Sequence, residues 1–212
     1  TPEGLKQAAA SGHLDVVEWL AQHRQEGASK SAMDAAAEHG HLAVVKWLHE
    51  NRTEGCSTAA MDLAAANNHL EVLQWLHNNR KEGCTSDAFH FAAIYGHLQI
   101  IQWLHHNNLV QCAAHGEIDA LELAAEHGHL TVVQWLLDHG YGGQKSLELA
   151  MRFAAANGHV RIVEFLHKQG ENIPPQKQVE SVARVVGTSR RPSFQGAPLP
   201  RLCSVCSSHP HN

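Results

Sequence analysis

Nine residues, GHLDVVEWL at 12–20, return five times: GHLAVVKWL at 40–48, NHLEVLQWL at 68–76, GHLQIIQWL at 96–104, GHLTVVQWL at 128–136 and GHVRIVEFL at 158–166. Their first residues, Gly12, Gly40, Asn68, Gly96, Gly128 and Gly158, are spaced 28, 28, 28, 32 and 30 apart. Self-similarity at a period of roughly 20–50 residues makes the chain a stack of copies of one supersecondary unit. A unit that small cannot hide an apolar stripe alone, so each copy must bury its stripe against its neighbours.

The spacing within a unit predicts two helices. In the third copy Ala60, Met61, Ala64 and Ala65 form one stripe at helical periodicity, and Leu70, Leu73, Leu76 and His77 form another. Between them stands the Gly-His pair, glycine being the residue that accepts the left-handed turn ending a helix; Asn68 takes that place in the third copy. Second stops are expected at Gly27, Gly55, Gly83, Gly140 and Gly170, with Asn107-Asn108 in the fourth copy. Ser31, Asp87 and Asp119 are expected to cap the first helices, and Ser31 with Asp34 and Asp119 with Glu122 resemble capping boxes. An Ala-Ala pair in every copy, such as 64-65, keeps the first helix thin enough to stack closely.

The segment AMDLAAANNHLEVLQWL, 60–76, resembles the ankyrin repeat, with its G-H turn and L-x-x-V-V-x-x-L outer helix. Six in-phase copies carry the resemblance over residues 1–172, in units of about 1–28, 29–56, 57–84, 85–112, 113–143 and 144–172. Two departures stand out. Ala59-Ala60-Met61-Asp62 replaces the family's Thr-Pro-Leu-His opening, and most units are shorter than the usual period of about 33. The missing residues fall where the projecting β-turn finger would be. The resemblance therefore implies an all-α, ankyrin-like solenoid of about six helix-turn-helix repeats with short or missing fingers.

It also implies a non-catalytic module that binds another protein on the concave, inner-helix side. The alternative is a targeting segment of a larger enzyme, such as a kinase or a ubiquitin-ligase component, whose catalytic part is absent from this chain. The expected contact positions are the two residues after each Ala-Ala pair, among them Glu38, His39, Asn67, Ile94, Tyr95, Glu126 and His127. Ile94-Tyr95 is the expected anchor, because large buried side chains dominate interface energies; the other reading packs both residues under the longer connection at 108–118.

Two columns imitate chemistry. His13, His41, His69, His97, His129 and His159 follow the turn residue, and His49, His77, His105 and His167 share an outer-helix position. Column members one repeat apart lie about 10 Å from each other, whereas a zinc ion needs every nitrogen within about 2.1 Å; turn and surface roles are expected. Trp19, Trp47, Trp75, Trp103, Trp135 and Phe165 read as packing between outer helices. No Ser-His-Asp set, phosphate loop or HExxH motif appears, so no enzyme, cofactor or small-molecule substrate is expected.

Charge divides along the chain. Residues 1–172 hold 11 Lys or Arg against 20 Asp or Glu, a balance of -9, and residues 173–212 hold 5 against 1, a balance of +4. An acidic array is a poor ligand for phosphates, so no nucleic acid is expected. No apolar run approaches membrane-spanning length, and Cys56, Cys84 and Cys112, each one repeat apart, are too distant to pair as disulfides, which points to the cytosol. A monomer is expected, within a larger or longer array. Beyond Asn172, Val179, Val182, Ala183 and Val186 predict a capping helix within 173–187, and 188–212 reads as disordered. That tail holds a basophilic kinase pattern at Ser193 and a weak zinc set, Cys203, Cys206, His209 and His211.

Overall fold

Helix, left-handed turn, helix recurs six times in the computed structural model, which describes residues 2–23, 30–112 and 119–171. Inner helices α1 (Pro2–Ala10), α3 (Lys30–Glu38), α5 (Ala59–Ala66), α7 (Ser86–Ile94), α9 (Ala120–Glu126) and α11 (Gln144–Ala156) alternate with outer helices α2 (Leu14–His23), α4 (Leu42–Asn51), α6 (Leu70–Asn79), α8 (Leu98–His106), α10 (Leu130–Asp138) and α12 (Val160–Glu171). A short 3-10 turn, Leu109–Cys112, packs on α7 and α8. There is no strand among the described residues, so no β finger projects from them. The expected capping helix, the 188–212 tail, Ser193 and the zinc candidates Cys203, Cys206, His209 and His211 lie outside the described residues.

Each inner helix packs against its inner neighbours and its own outer helix. The Ala-Ala pairs make this possible: Ala36, Ala37, Ala64, Ala65, Ala92, Ala93, Ala124 and Ala125 are fully buried. With no side chain beyond Cβ, they let neighbouring inner helices approach more closely than the outer ones. One continuous core runs from Leu5 to Leu166, so each unit completes its burial with material from its neighbours.

The turns explain the Gly-His pair. In α3 the Gly40 N–H donates to Ala37 O and the His41 N–H to Ala36 O, the two bonds of a Schellman cap. Gly40 has φ +77°, and an added Cβ would sit 2.5 Å from the His69 ring of the next repeat. Each such histidine then bonds backwards. His41 Nε2 donates to Ala10 O at 3.0 Å, His97 Nε2 to Ala66 O at 3.0 Å, His129 Nε2 to Ile94 O at 2.8 Å and His159 Nε2 to Glu126 O at 2.9 Å. The turn glycine of one repeat is thus the seat for the histidine of the next. Burial lowers the pKa of His69 and His97, which keeps both rings neutral in this role.

Asn68 holds the same turn at φ 62° without being glycine. The left-handed conformation costs asparagine less than other L residues but more than glycine. Asn68→Gly is therefore expected to stabilise the array by about 0.5–1 kcal/mol, measured by urea denaturation; no gain, or a loss, would show that the Asn68 side chain contributes a compensating contact.

A second interlock was misassigned by sequence. Ser31 lies inside α3, and the Asp34 carboxylate accepts from Ser57 of the next repeat, from its N–H at 2.8 Å and its Oγ at 2.7 Å. Asp62 does the same with Thr85, at 2.8 and 3.0 Å. Thr85, not Asp87, is the N-cap of α7, accepting the Asp87 N–H at 3.1 Å. Asp119 does occupy the N-cap of α9 but makes no side-chain cap bond. Within reach of the same helix start, an acidic side chain found donors across the repeat boundary, because the short loops bring the next N-cap against it. Burial raises the carboxyl pKa of Asp34, and that of Asp62 to about 6, against the lowering effect of these bonds, and it raises that of Glu122 as well.

Two expected stops also move. Outer helices α4 and α6 end at Asn51 and Asn79, whose side-chain amides donate to Trp47 O and Trp75 O, so Gly55 and Gly83 lie farther out in the connections. Gly170 continues within α12, since glycine permits the left-handed turn without imposing it. Gly140 and Asn108 do turn left-handed, at φ 77° and 55°; Gly27 lies outside the described residues. In the connections, Arg52 Nη2 pairs with Glu54 Oε1 at 3.1 Å and Arg80 with Glu82, the latter bond holding the Glu82 carboxyl down at about 2. These ion pairs brace the loops in which a finger is absent. Neither Cys56 nor Cys84 forms a disulfide, and burial pushes the Cys56 thiol up to about 11.

Outside, the two aromatic columns interleave. His49 meets Trp75 edge-on at 5.1 Å, His77 meets Trp103 at 5.2 Å and His105 meets Trp135 at 5.2 Å. Trp47, Trp75, Trp103 and Trp135 are partly buried against the core; Trp19 is 53% exposed and stacks on its own His23. The histidine and tryptophan columns are parts of one inter-repeat seam.

Candidate functional site

Inner helices α3, α5, α7 and α9 have three sides occupied by other helices and a fourth on which no described helix packs, whereas α1 and α11, at the ends, each pack on one inner neighbour and their own outer helix. In α5 the buried residues Ala60, Met61, Ala64 and Ala65 define the core side, so Ala59, Leu63 and Ala66, at i, i+4 and i+7, define the open side. The same register places Asp87, Phe91 and Ile94 on the open side of α7, Asp119, Leu123 and Glu126 along α9, and Leu149, Phe153 and Ala156 along α11. Inner helices stacked more closely than outer ones make this the concave side of the array.

Its chemistry changes along the array. The first repeat shows Glu3, Gln7 and Ala10, and the second Ser31 and Glu38, with Ala35 between them buried. From the third onwards the central position is Leu63, Phe91, Leu123 and Phe153, four bulky apolar side chains in consecutive repeats. All four are partly exposed, and none belongs to the buried core or to the partly buried side chains packed on it. Ile94 and the 42% exposed Tyr95 widen the stripe at its middle. Tyr95 also stacks on His97, with ring centroids 6.1 Å apart.

The two-residue positions expected from sequence behave unequally. The second residue, His39, Asn67, Tyr95, His127 or Asn157, is exposed at the helix C-cap. Four of these five fold back: His39 Nδ1 donates to Ala35 O, Asn67 Nδ2 to Leu63 O, His127 Nδ1 to Leu123 O and Asn157 Nδ2 to Phe153 O, all at 2.9–3.0 Å. The first residue, Glu38, Ile94 or Glu126, is only partly exposed, and its backbone is engaged by the following histidine. Equal exposure of both residues is therefore corrected: half of each pair serves the inter-repeat joint. Sequence reading passed over Leu63, Phe91, Leu123 and Phe153, although a signal was present, since the residue before each Ala-Ala pair changes from Gln7 and Ala35 to a bulky apolar side chain from the third repeat onwards.

Among the described residues no group of His, Cys, Asp or Glu could hold a metal ion. No described helix is long and apolar enough to cross a membrane.

Two family models match, both described as ankyrin repeats: a three-copy model over residues 61–146 and 89–178, and a many-copy model over 5–49 and 33–77. No curated protein matches the chain. Among solved structures, the ankyrin repeat domain of human ASB11 is similar to it at 22% identity, with a TM-score of 0.61 over 82% of this chain and 86% of that one. At that identity the likeness is one of fold.

Proposed function

The chain belongs to the ankyrin-repeat family, whose repeats serve as protein-interaction modules, and from that premise we propose that it binds a partner protein on the open side of inner helices α5, α7, α9 and α11. The carrying observation is the row Leu63, Phe91, Leu123 and Phe153, apolar side chains left partly exposed and outside the core. Contiguous exposed apolar surface on a soluble fold marks an interaction site. In this reading Tyr95 and Ile94 are the central anchor, and Glu38, His39, Asn67, Glu126 and His127 form the polar rim. The array itself carries no chemistry, takes no cofactor, nucleic acid, membrane or small-molecule substrate, and works as a monomer in the cytosol.

The test is capture from cell extract by the full chain beside a Phe91→Ser/Leu123→Ser variant of unchanged helicity and thermal midpoint. Loss of about 2–4 kcal/mol of binding, enough to empty the variant's beads, is expected for truncation of two central anchors. A partner held equally by both chains would move the contact off this side.

A further inference from the structure

The same surface constrains the conformation and charge of what lies on it; this inference rests on the reading above and deepens it. We propose that the occupant is an amphipathic α-helix of the partner, running across the inner helices with bulky apolar residues toward the array and Lys or Arg on its flanks.

Spacing is the first argument. Packed helices lie about 8–10 Å apart, so Leu63, Phe91, Leu123 and Phe153 offer apolar contacts at about that interval. A helix rises 1.5 Å per residue, and two turns, about seven residues, advance it about 10.5 Å on the same face. An extended strand returns to one face every second residue, about 6.6 Å, and falls out of step.

Hydrogen-bond supply is the second. An extended or polyproline segment brings unpaired backbone carbonyls that need donors once water is excluded. The exposed C-cap side chains offer only scattered donors: His39 and His127 each direct the Nδ1 N–H at their own helix, to Ala35 O and Leu123 O, Asn67 and Asn157 each keep one amide hydrogen beyond the one held by Leu63 O or Phe153 O, and Tyr95 adds a single hydroxyl. A helix satisfies its own backbone and makes no such demand.

Charge is the third. Around the stripe the open side carries Glu38, Asp87, Asp119 and Glu126, with no Lys or Arg in those registers of repeats two to five. Acceptors and carboxylates on the rim select a cationic flank and reject an anionic one.

The test uses the full chain and a fluorescein-labelled peptide of about 22 residues, long enough as a helix to span the four repeats. Leucines on one helical face are combined with lysines on its flanks, and saturation is followed by fluorescence anisotropy. Binding is expected to be at least about tenfold tighter than for a peptide of the same composition with its leucines scattered around the helix. It is expected to weaken about tenfold in Phe91→Ser/Leu123→Ser, weaken with Asp87→Lys/Glu126→Lys, and vanish when glutamates replace the lysines. Equal binding of the scattered peptide, equal binding of a proline-interrupted peptide, or no saturable binding of the amphipathic one would overturn the helical occupant. If that happens while the Phe91→Ser/Leu123→Ser chain still loses its captured protein, the interaction reading stands and only the occupant's form is wrong. Failure of both removes both.

Discussion

Gly40→Ala is expected to destabilise the array by about 3 kcal/mol, and Gly158→Ala by about 1 kcal/mol, although the two glycines share φ +77°. Alanine in a left-handed turn costs about 1–2 kcal/mol at either site. Only at Gly40 does the new methyl meet the next repeat, 2.5 Å from the His69 ring, whereas none of the described residues lies within 4 Å at Gly158. The difference isolates the interlock from the backbone. Adding His69→Ala to Gly40→Ala should recover part of the loss, so the double variant is less damaged than the sum of the singles by about 1 kcal/mol. Urea midpoints of the four chains measure this. Equal losses at Gly40 and Gly158, or strict additivity with His69→Ala, would reduce the Gly-His pair to a turn signal.

Asp62→Ala is expected to cost about 2 kcal/mol at pH 7, because it leaves the Thr85 N–H and hydroxyl without their acceptor in a site where Asp62 is only 6% exposed. Asp62→Asn should be far milder: the amide oxygen keeps the N–H bond and the amide nitrogen donates to Thr85 Oγ1. The two variants also separate by pH. With the folded carboxyl at about 6 and an unfolded value near 3.9, the folded state binds the extra proton between those values, so Asp62 contributes stability that grows as pH falls from about 6 to 4. Wild type should therefore gain on Asp62→Asn across that window, by on the order of 2–3 kcal/mol. His69 and His97, lowered by burial, act in the opposite sense, since the unfolded chain protonates first below about 6.5; comparing the two chains cancels them. A pH-independent difference between wild type and Asp62→Asn would mean the carboxylate is not held above its ordinary range.

How far the sequence speaks depends on whether a feature is local. Helix pairs follow from periodicity, and Asn68 and Asn108 declare their left-handed turns because few other residues adopt one. Asp34 is different. Its nearest sequence candidate was Ser31, three residues back, yet its partner is Ser57, 23 residues on, and only the packing of two repeats supplies that neighbour. Gly55 and Gly83 misled for a related reason: Asn51 and Asn79 had already closed their helices through their own amides. On the open side, Ile94-Tyr95 drew attention as an adjacent apolar pair, while Phe91, a turn earlier on the same face, was passed over. A helical face cannot be sided from one helix alone; the burial of Ala92 and Ala93 assigns it.

The most direct measurement of the partner surface is site-specific photo-cross-linking, with a benzophenone side chain placed singly at Tyr95 and His127 on the open inner side, and at Gln99 and Thr131 on the outer helices, all four exposed in the free chain. One cross-linked protein is expected from positions 95 and 127, lost when Phe91 and Leu123 are serine, and none from 99 and 131. Cross-linking from 99 and 131 alone would put the partner on the outer side and contradict this expectation.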